Sequence, residues 1–249
     1  MIRVLLSGHR GKVGAALVPA LTAADDIDYV GGVGRQDDLE DALAAHRPDV
    51  LVDFTHPAAG LDNALAAVAA GAAPVVGTSG IPAAGVERLE RACAERGLGG
   101  IVAPNFAVGA VLMMWLAERA APYFDAADVI ERHHAAKADA PSGTAVATAR
   151  RMAEARGELP FAYSRTEKVV LEGARGAESG GVAVHSVRLP GVLADQEIVF
   201  GLPGQTLSIA HRTISRDCYA PGVLLAIRRV AAGPGFFRGL EPLLGLAVP

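Results

Sequence analysis

The first hundred residues alternate between short apolar runs and Ala-rich stretches. Five apolar runs end in glycine, proline or a polar residue, as buried strands do. These runs are 2–7, 27–33, 50–54, 74–77 and 100–103. The stretches between them, 13–23, 38–45, 58–70 and 85–96, are predicted to be helices. Such regular alternation predicts an α/β fold in which helices cover both faces of a parallel sheet.

The pattern changes after about residue 105. A predicted helix over 108–123 is followed by an apolar run, a polar segment and a second helix over 142–157. Strands are then predicted at 182–189, 193–200 and 205–212, and a final helix at 221–230 is expected to return to the first domain. Pro203 and Gly204 favour a turn, so the last two strands are predicted to form an antiparallel hairpin.

This organisation predicts two domains. Residues 1–106 and 217–249 are assigned to a Rossmann-like dinucleotide-binding domain with a parallel sheet. Residues 107–216 are assigned to a second, α+β domain with a mixed sheet, which would bind substrate and form the oligomer.

The composition excludes several classes of protein. Hydrophobic residues make up 51% of the 249, which excludes a disordered chain. The formal net charge is -4 and no basic run interrupts the sequence, so a nucleic-acid partner is not expected. Cys93 and Cys218 are too few for a disulfide scaffold and lack the spacing of metal ligands, so no metal is expected.

Two uncharged stretches, 63–86 and 97–117, are long enough to span a bilayer. Both contain glycine and proline, and each is better interpreted as a buried strand, a loop and a helix in succession. No signal peptide is expected, because Arg10 and Lys12 follow a short apolar run. We therefore predict a soluble intracellular protein with no membrane partner.

A glycine-rich turn follows the first predicted strand. Gly8, Gly11 and Gly14 have the spacing Gly-x-x-Gly-x-x-Gly. Glycines at a strand–helix junction let the backbone approach a pyrophosphate, and the helix N-terminus supplies N–H groups and a positive dipole end. Arg10 and Lys12 add positive charge. The turn favours a dinucleotide site, and an ordinary glycine turn is the alternative.

The end of the second predicted strand bears on the choice of dinucleotide. An acidic residue at this point usually binds the adenosine ribose of NAD. The strand instead ends at Gly34, followed by Arg35, with Asp37 and Asp38 close behind. Arg35 is a candidate partner for a 2′-phosphate, and a solvated surface arginine is the alternative.

Two further loops, 77–80 and 103–106, leave the predicted carboxyl ends of strands, where ligands bind in an open parallel sheet. Both are candidates for lining the nicotinamide end of a dinucleotide. For each loop taken alone, an ordinary turn is the better explanation.

The densest group of reactive side chains lies at 131–144. His133 and His134 are adjacent on a predicted strand, so they point to opposite faces and do not suit a shared metal site. A histidine suits proton donation, and the spacing does not decide which of the two donates. Lys137 adds a cation. Ser142, Gly143 and Thr144 open a helix, which favours binding of a small carboxylate.

These segments resemble the 4-hydroxy-tetrahydrodipicolinate reductase (dihydrodipicolinate reductase) family of the lysine and diaminopimelate pathway, and most of all its actinobacterial members. The most specific match is the run His-His-x-x-Lys-x-Asp-Ala-Pro-Ser-Gly-Thr at 133–144. The other matching segments, which extend over nearly the whole chain, are 8–14, 52–57, 76–80, 103–106, 185–189, 204–207 and 221–223.

The resemblance implies a role for each candidate residue. His133 would be the proton donor and Lys137 the second catalytic group. His134, Gly143 and Thr144 would bind the carboxylates of the substrate. The resemblance implies that NADH or NADPH is held by Gly8, His9, Arg10, Gly11, Lys12, Val13, Gly77, Thr78, Ser79, Ala103, Pro104, Asn105 and Phe106. The end of the second strand adds Arg35 to these candidates.

The resemblance also implies a cytoplasmic homotetramer that reduces a cyclic imine dicarboxylate with loss of water. Two positions depart from the family pattern. Ser79 stands where a second threonine is common, and Gly34 stands where an acidic ribose-binding residue is common, which leaves the cofactor preference open. The alternative functions are another Rossmann oxidoreductase acting on a small imino or amino acid, and a non-catalytic dinucleotide sensor. The presence of both His133 and Lys137 disfavours the sensor.

Overall fold

The computed structural model describes residues 1–162 and 166–246. The chain divides into two compact units, Met1–Val111 with Arg216–Pro249, and Leu112–Ser215. The first boundary, after Val111, lies five residues beyond the predicted limit at 106. The second boundary, after Ser215, lies one residue before the predicted limit at 216. Residues 163–165 and 247–249 of the predicted domains lie outside the described residues.

Strands and helices alternate through the first half of the chain and separate later. In chain order the elements are β1 (Ile2–Ser7), α1 (Gly14–Ala23), β2 (Ile27–Val33), α2 (Leu39–His46), β3 (Val50–Asp53), α3 (Pro57–Ala69), β4 (Ala73–Val76), α4 (Ala83–Arg96), β5 (Gly99–Val102), α5 (Val108–Ala120), β6 (Ala126–His133), α6 (Gly143–Arg156), β7 (Ala177–Ser179), β8 (Val182–Arg188), β9 (Ala194–Leu202), β10 (Gln205–Thr213), α7 (Ala220–Ala231) and β11 (Gly235–Arg238).

The first unit is built on a six-stranded sheet in the order β11-β5-β4-β3-β1-β2. Every neighbouring pair is parallel, so the carboxyl ends of all six strands meet at one edge. All residues of β3 and β4 are buried, as expected for central strands covered on both faces. Helix α7 packs Val223, Ala226, Ile227 and Val230 into the same core.

The second unit is built on a five-stranded mixed sheet in the order β10-β9-β6-β8-β7. Strand β6 pairs parallel with β8 and antiparallel with β9. The predicted hairpin is confirmed, because β9 and β10 pair antiparallel from Leu202 opposite Gln205. Helix α6 packs Ala149 and Met152 into a core with Val129 of β6. The predicted fold class is therefore confirmed.

The stretch 97–117 folds as predicted into β5, a loop and α5. The stretch 63–86 first completes α3 and then forms β4, a loop and the start of α4. Within the described ranges, no helix has the length and apolar character needed to cross a membrane. Cys93 is buried, Cys218 is partly exposed, and both are free thiols.

Candidate active site

The glycine-rich turn after β1 brings the backbone against a neighbouring loop. Gly8 has a φ of +86°, which favours glycine, and a Cβ at this position would lie 2.5 Å from the carbonyl oxygen of Phe54. A Cβ on Gly14 would collide with the carbonyl of Gly8. Helix α1 starts immediately afterwards, without a side-chain cap and without an acidic residue in its first turn. Gly11 and Lys12 lie exposed between the two.

Phe54 joins three of the loops predicted to hold the cofactor. Its carbonyl oxygen faces Gly8, and its ring fills the space that a side chain on Gly77 would need. The same ring packs edge-on against Phe106, with the ring centres 5.6 Å apart. The structure therefore brings together the turn after β1 and the loops after β4 and β5.

A buried carboxylate supports the loops at this edge. Asp53, at the end of β3, accepts hydrogen bonds from the Thr78 hydroxyl at 2.6 Å, the Asn63 amide at 2.8 Å and the Thr55 hydroxyl at 2.9 Å. The Thr78 hydroxyl also accepts a hydrogen bond from the backbone N–H of Thr55. The Thr78 side chain is thus engaged within the protein, while neighbouring Ser79 is exposed.

The loop after β5 contains both exposed and buried candidates. Pro104 is exposed, whereas Ala103 and Phe106 are buried. The Asn105 side chain accepts a hydrogen bond from the backbone N–H of Ala107 at 2.9 Å, which ties the loop to the start of α5. Any cofactor contact here would come from the exposed part of the loop.

The tip of β2 carries charges of both signs. The backbone N–H of Gly34 donates to the Asp37 carboxylate at 2.8 Å, so this carboxylate lies at the strand end. Asp38 instead caps α2, because its carboxylate accepts from two N–H groups of the first turn. Arg35 is exposed beside them.

The His9 side chain lies over β2. A Cβ on Gly32 would collide with the His9 ring, so only glycine at this position admits the ring. The Arg10 guanidinium donates to the same ring at 3.2 Å. Val13 follows as the residue that precedes α1. Gly8, His9 and Arg10 thus lie beside the tip of β2.

The candidate chemical group lies in the second unit, at the end of β6. Glu131 and His133 are two residues apart on the strand and therefore share a face. Nδ1 of His133 lies 2.5 Å from Oε2 of Glu131. The Glu131 side chain is fully buried, and the His133 side chain is 16% exposed. His134 lies just beyond the end of the strand rather than on it, and its carbonyl accepts from the N–H of Lys137.

Glu131 is surrounded by hydrogen-bond donors. Arg188 of β8 donates to both carboxylate oxygens at 2.8 Å, and the backbone N–H of Ser142 donates at 3.1 Å. Burial raises the pKa of Glu131, but hydrogen bonds from Arg188, Ser186 and His133 outweigh it and lower the pKa to about 2. Since an ionised carboxylate only accepts, Nδ1 of His133 carries a proton, and Nε2 is left for another partner.

The Lys137 loop is held from two sides. The Lys137 ammonium lies 2.7 Å from the Asp139 carboxylate, and this hydrogen bond lowers the pKa of Asp139. The Arg188 guanidinium donates to the backbone carbonyl of Asp139 at 2.6 Å. Arg188 therefore contacts both the partner of His133 and the loop that carries Lys137.

The N-terminus of α6 completes the group. Ser142 caps the helix, because its hydroxyl accepts from the backbone N–H of Ala145. Gly143 is exposed, and a Cβ built on it would meet nothing within 4 Å. Thr144 follows, partly exposed. The structure thus brings the five predicted catalytic and substrate-binding residues onto the end of β6, the loop after it and the start of α6.

Comparison with known proteins identifies the family. The model of the dihydrodipicolinate reductase N-terminus matches residues 2–106, and that of its C-terminus matches 109–244. The chain belongs to the dihydrodipicolinate reductase family. It is 48% identical to the 4-hydroxy-tetrahydrodipicolinate reductase of Mycolicibacterium vanbaalenii, over 98% of this chain and 100% of that protein. It is 46% identical to the enzyme of that name from Moorella thermoacetica, over 98% of each chain.

A solved structure supports the same assignment. Dihydrodipicolinate reductase from Paenisporosarcina sp. TG-14, with dipicolinate bound, is 36% identical and superposes with a TM-score of 0.87. The match covers 97% of this chain and 99% of that structure. The resemblance inferred from the sequence is thereby confirmed.

As a member of this family, the chain is an NAD(P)H-dependent oxidoreductase whose N-terminal domain binds the dinucleotide. The first unit fits this cofactor. The uncapped start of α1 offers backbone N–H groups and a positive dipole end to an anion, and Gly8 and Gly11 keep side chains out of the approach.

Several residues that shape these sites were not predicted as site residues. Asp53 and Phe54 belong to a segment noted only for its family resemblance. Glu131 lies in the polar cluster and Arg188 in a matching segment, but the sequence predicts neither as a site residue. A charged residue two positions before His133 on a strand was a signal for Glu131, since such residues share a face. Nothing local indicated Arg188 as its partner.

Proposed function

We propose that the chain reduces 4-hydroxy-tetrahydrodipicolinate to tetrahydrodipicolinate, with loss of water and oxidation of NADH or NADPH, in lysine and diaminopimelate biosynthesis. The observation that carries the proposal is the placement of His133 against a buried ionised carboxylate, beside the Lys137 loop and the start of α6. This arrangement combines a proton donor, a cation and an anion site, which a dicarboxylate imine requires.

The substrate carboxylates are assigned to the start of α6. The backbone N–H groups and hydroxyl of Gly143 and Thr144 lie at the positive end of a 14-residue helix. The open space at Gly143 leaves room for a ligand at this point. His134 is assigned to the same carboxylates. Lys137 would exchange its exposed partner, Asp139, for the negative charge of the substrate.

The reduction step needs a proton donor and a charge stabiliser. Bound NADH or NADPH supplies the hydride to one end of the conjugated system that loss of water creates. In its doubly protonated form, in which Nδ1–H donates to Glu131, His133 delivers the proton of Nε2 to the carbon next to the one that receives hydride. Lys137 stabilises the negative charge that develops toward the imine nitrogen. Glu131 remains an acceptor throughout.

Oxidation of NADH and NADPH, with and without enzymatically generated 4-hydroxy-tetrahydrodipicolinate, tests this function. We expect oxidation only when the substrate is present. Turnover of other imino acids but not of this substrate would indicate another oxidoreductase, and binding without turnover would indicate a sensor. Neither alternative is favoured, because family models match both halves of the chain.

A homotetramer formed through the second unit is part of the proposal. β10 is an edge strand of the mixed sheet, and its first four residues are exposed. Unpaired sheet edges are usually covered in soluble proteins, and a second copy of the chain would cover this one. Light scattering at micromolar concentration is expected to give four times the chain mass of 25.5 kDa, and a monomer would contradict the proposal.

A further inference from the structure

We propose that Glu131 is a positioning residue, which keeps Nδ1 of His133 protonated so that Nε2 carries the proton for the substrate, and that Arg188 keeps this carboxylate ionised and in place. The inference rests on the proposed function for the role of His133. It goes beyond that function because neither Glu131 nor Arg188 is assigned to contact substrate or cofactor.

The two oxygens of Glu131 accept hydrogen bonds from several donors, and the Ser186 side chain is one of them. Oε2 faces Nδ1 of His133 and one Arg188 nitrogen. Oε1 faces the backbone N–H of Ser142 and the other Arg188 nitrogen. All of these partners are donors, and three different segments supply them: β6, β8 and the residue that caps α6. The carboxylate therefore cannot rotate or shift without leaving a buried donor unpaired.

This arrangement requires an anion rather than a polar group of the same shape. An amide in place of the carboxylate has only one oxygen, so its NH2 group must face one of the two donor pairs. If the NH2 faces His133, the ring must turn or carry its proton on Nε2. If it faces Ser142, the backbone N–H of this capping residue loses its acceptor.

Arg188 connects this carboxylate to the second catalytic group. Besides both oxygens of Glu131, its guanidinium binds the carbonyl of Asp139, whose carboxylate holds Lys137. One ion pair thus locates the proton donor and also anchors the loop of the charge stabiliser. The register of β6 and β8, with His133 opposite Arg188, makes this possible.

A merely structural ion pair between β6 and β8 is the competing explanation, and non-additivity separates the two. A residue that acts through His133 loses its effect on turnover when His133 is absent, whereas a structural residue does not. The experiment therefore places Glu131→Gln in the wild type and in His133→Ala. Glu197→Gln is the matched control. Glu197 of β9 forms an ion pair with Arg132, which lies on β6 like Glu131 but points away from the His133 ring.

We expect Glu131→Gln to lower kcat about 30-fold in the wild type and less than about threefold in His133→Ala, since the general acid supplies the effect. The Kd for NADH and the activity of Glu197→Gln are expected to stay within about twofold of wild type. Equal losses in both backgrounds, or an unchanged kcat, would overturn the proposal.

Two further measurements keep the test decisive. If Glu131→Gln does not fold, Glu131→Asp retains the charge for Arg188 and withdraws the carboxylate from His133 by one methylene. The same non-additive loss of kcat is then expected. Nitrogen NMR of His133 needs no substrate, and in the wild type the neutral ring is expected to carry its proton on Nδ1. A proton on Nε2 would refute the role of Glu131, whereas an inactive wild type with the expected ring would refute only the proposed function.

Discussion

The two units support their candidate sites with buried carboxylates of different surroundings. Asp53 in the first unit accepts from neutral groups, the Thr55 and Thr78 hydroxyls and the Asn63 amide. Glu131 in the second unit accepts from an arginine and a histidine as well as from a backbone N–H. The first carboxylate organises loops, and the second organises other charged groups.

The difference follows from what each unit has to do. The first unit presents backbone at a helix N-terminus, and its close contacts depend on glycines that have no side chain. The second unit presents side chains that transfer a proton and stabilise charge. We therefore expect the second unit to be sensitive to removal of side-chain atoms and the first to be sensitive to their addition.

Removal of His133 or Lys137 is expected to give the largest loss of turnover. His133→Ala and Lys137→Ala should each lower kcat at least about 100-fold, because an acid or a charge stabiliser of the transition state is lost. NADH binding, measured by fluorescence titration, should not change, since neither residue lies in the first unit.

The same variants can contradict this division of roles between the two units. A strong loss of NADH affinity in either would show that the second unit also holds the cofactor. His134→Ala is the control for the choice between the adjacent histidines. If it abolished turnover while His133→Ala mainly raised KM, their roles would have to be exchanged.

Addition of one methyl group to the first unit should have the next largest effect. In Gly8→Ala the new Cβ meets the Phe54 carbonyl and the φ of +86° is strained, so the turn must move. We expect the KM for NADH to rise about tenfold, with a smaller change in kcat, because cofactor binding rather than chemistry is affected.

Gly71→Ala is the matched control for this prediction. Gly71 has a φ of +87°, and a Cβ on it would meet nothing within 4 Å. Both variants carry the backbone strain, and both should lower Tm. If Gly71→Ala raised the KM for NADH as much as Gly8→Ala, general destabilisation rather than the approach of the turn would explain the effect.

Features encoded locally were predictable from the sequence. The bounds of β1 and β2 match the apolar runs at 2–7 and 27–33. The last four residues of β1 are buried, as expected for a strand inside a parallel sheet, whereas β2 is an edge strand that is fully buried only at its two ends. Helix α2 starts one residue later than predicted, since Asp38 is its cap rather than its first residue. The catalytic and substrate-binding candidates lie within twelve residues and fall on one strand end, one loop and one helix start.

Features that depend on pairing were not predictable. Strands β7 and β11 were missed because they are edge strands without a buried residue, and only their pairing with β8 and β5 defines them. The Glu131–Arg188 pair spans 57 positions and arises only from the register of β6 on β8. No local pattern specifies that register.

At the tip of β2, a side chain of the first unit is expected to affect the choice between NADH and NADPH. This effect should be smaller than those expected for the variants above. Because Gly34 supplies no carboxylate, we predict that NADPH is used at least as well as NADH, with Arg35 pairing with the 2′-phosphate. Arg35→Ala should lower kcat/KM for NADPH about fivefold and leave NADH within about twofold, as for one exposed ion pair.

Asp37 provides the opposing variant at the same tip. Its carboxylate lies against the N–H of Gly34, where it would accept from a ribose hydroxyl and repel a 2′-phosphate. Asp37→Asn should therefore shift the ratio of the two kcat/KM values toward NADPH, while Asp38→Asn, which alters only the cap of α2, should leave the ratio unchanged. The enzyme could instead show a strong preference for NADH that neither Arg35→Ala nor Asp37→Asn alters. That result would show that the backbone, rather than these side chains, determines the choice of cofactor.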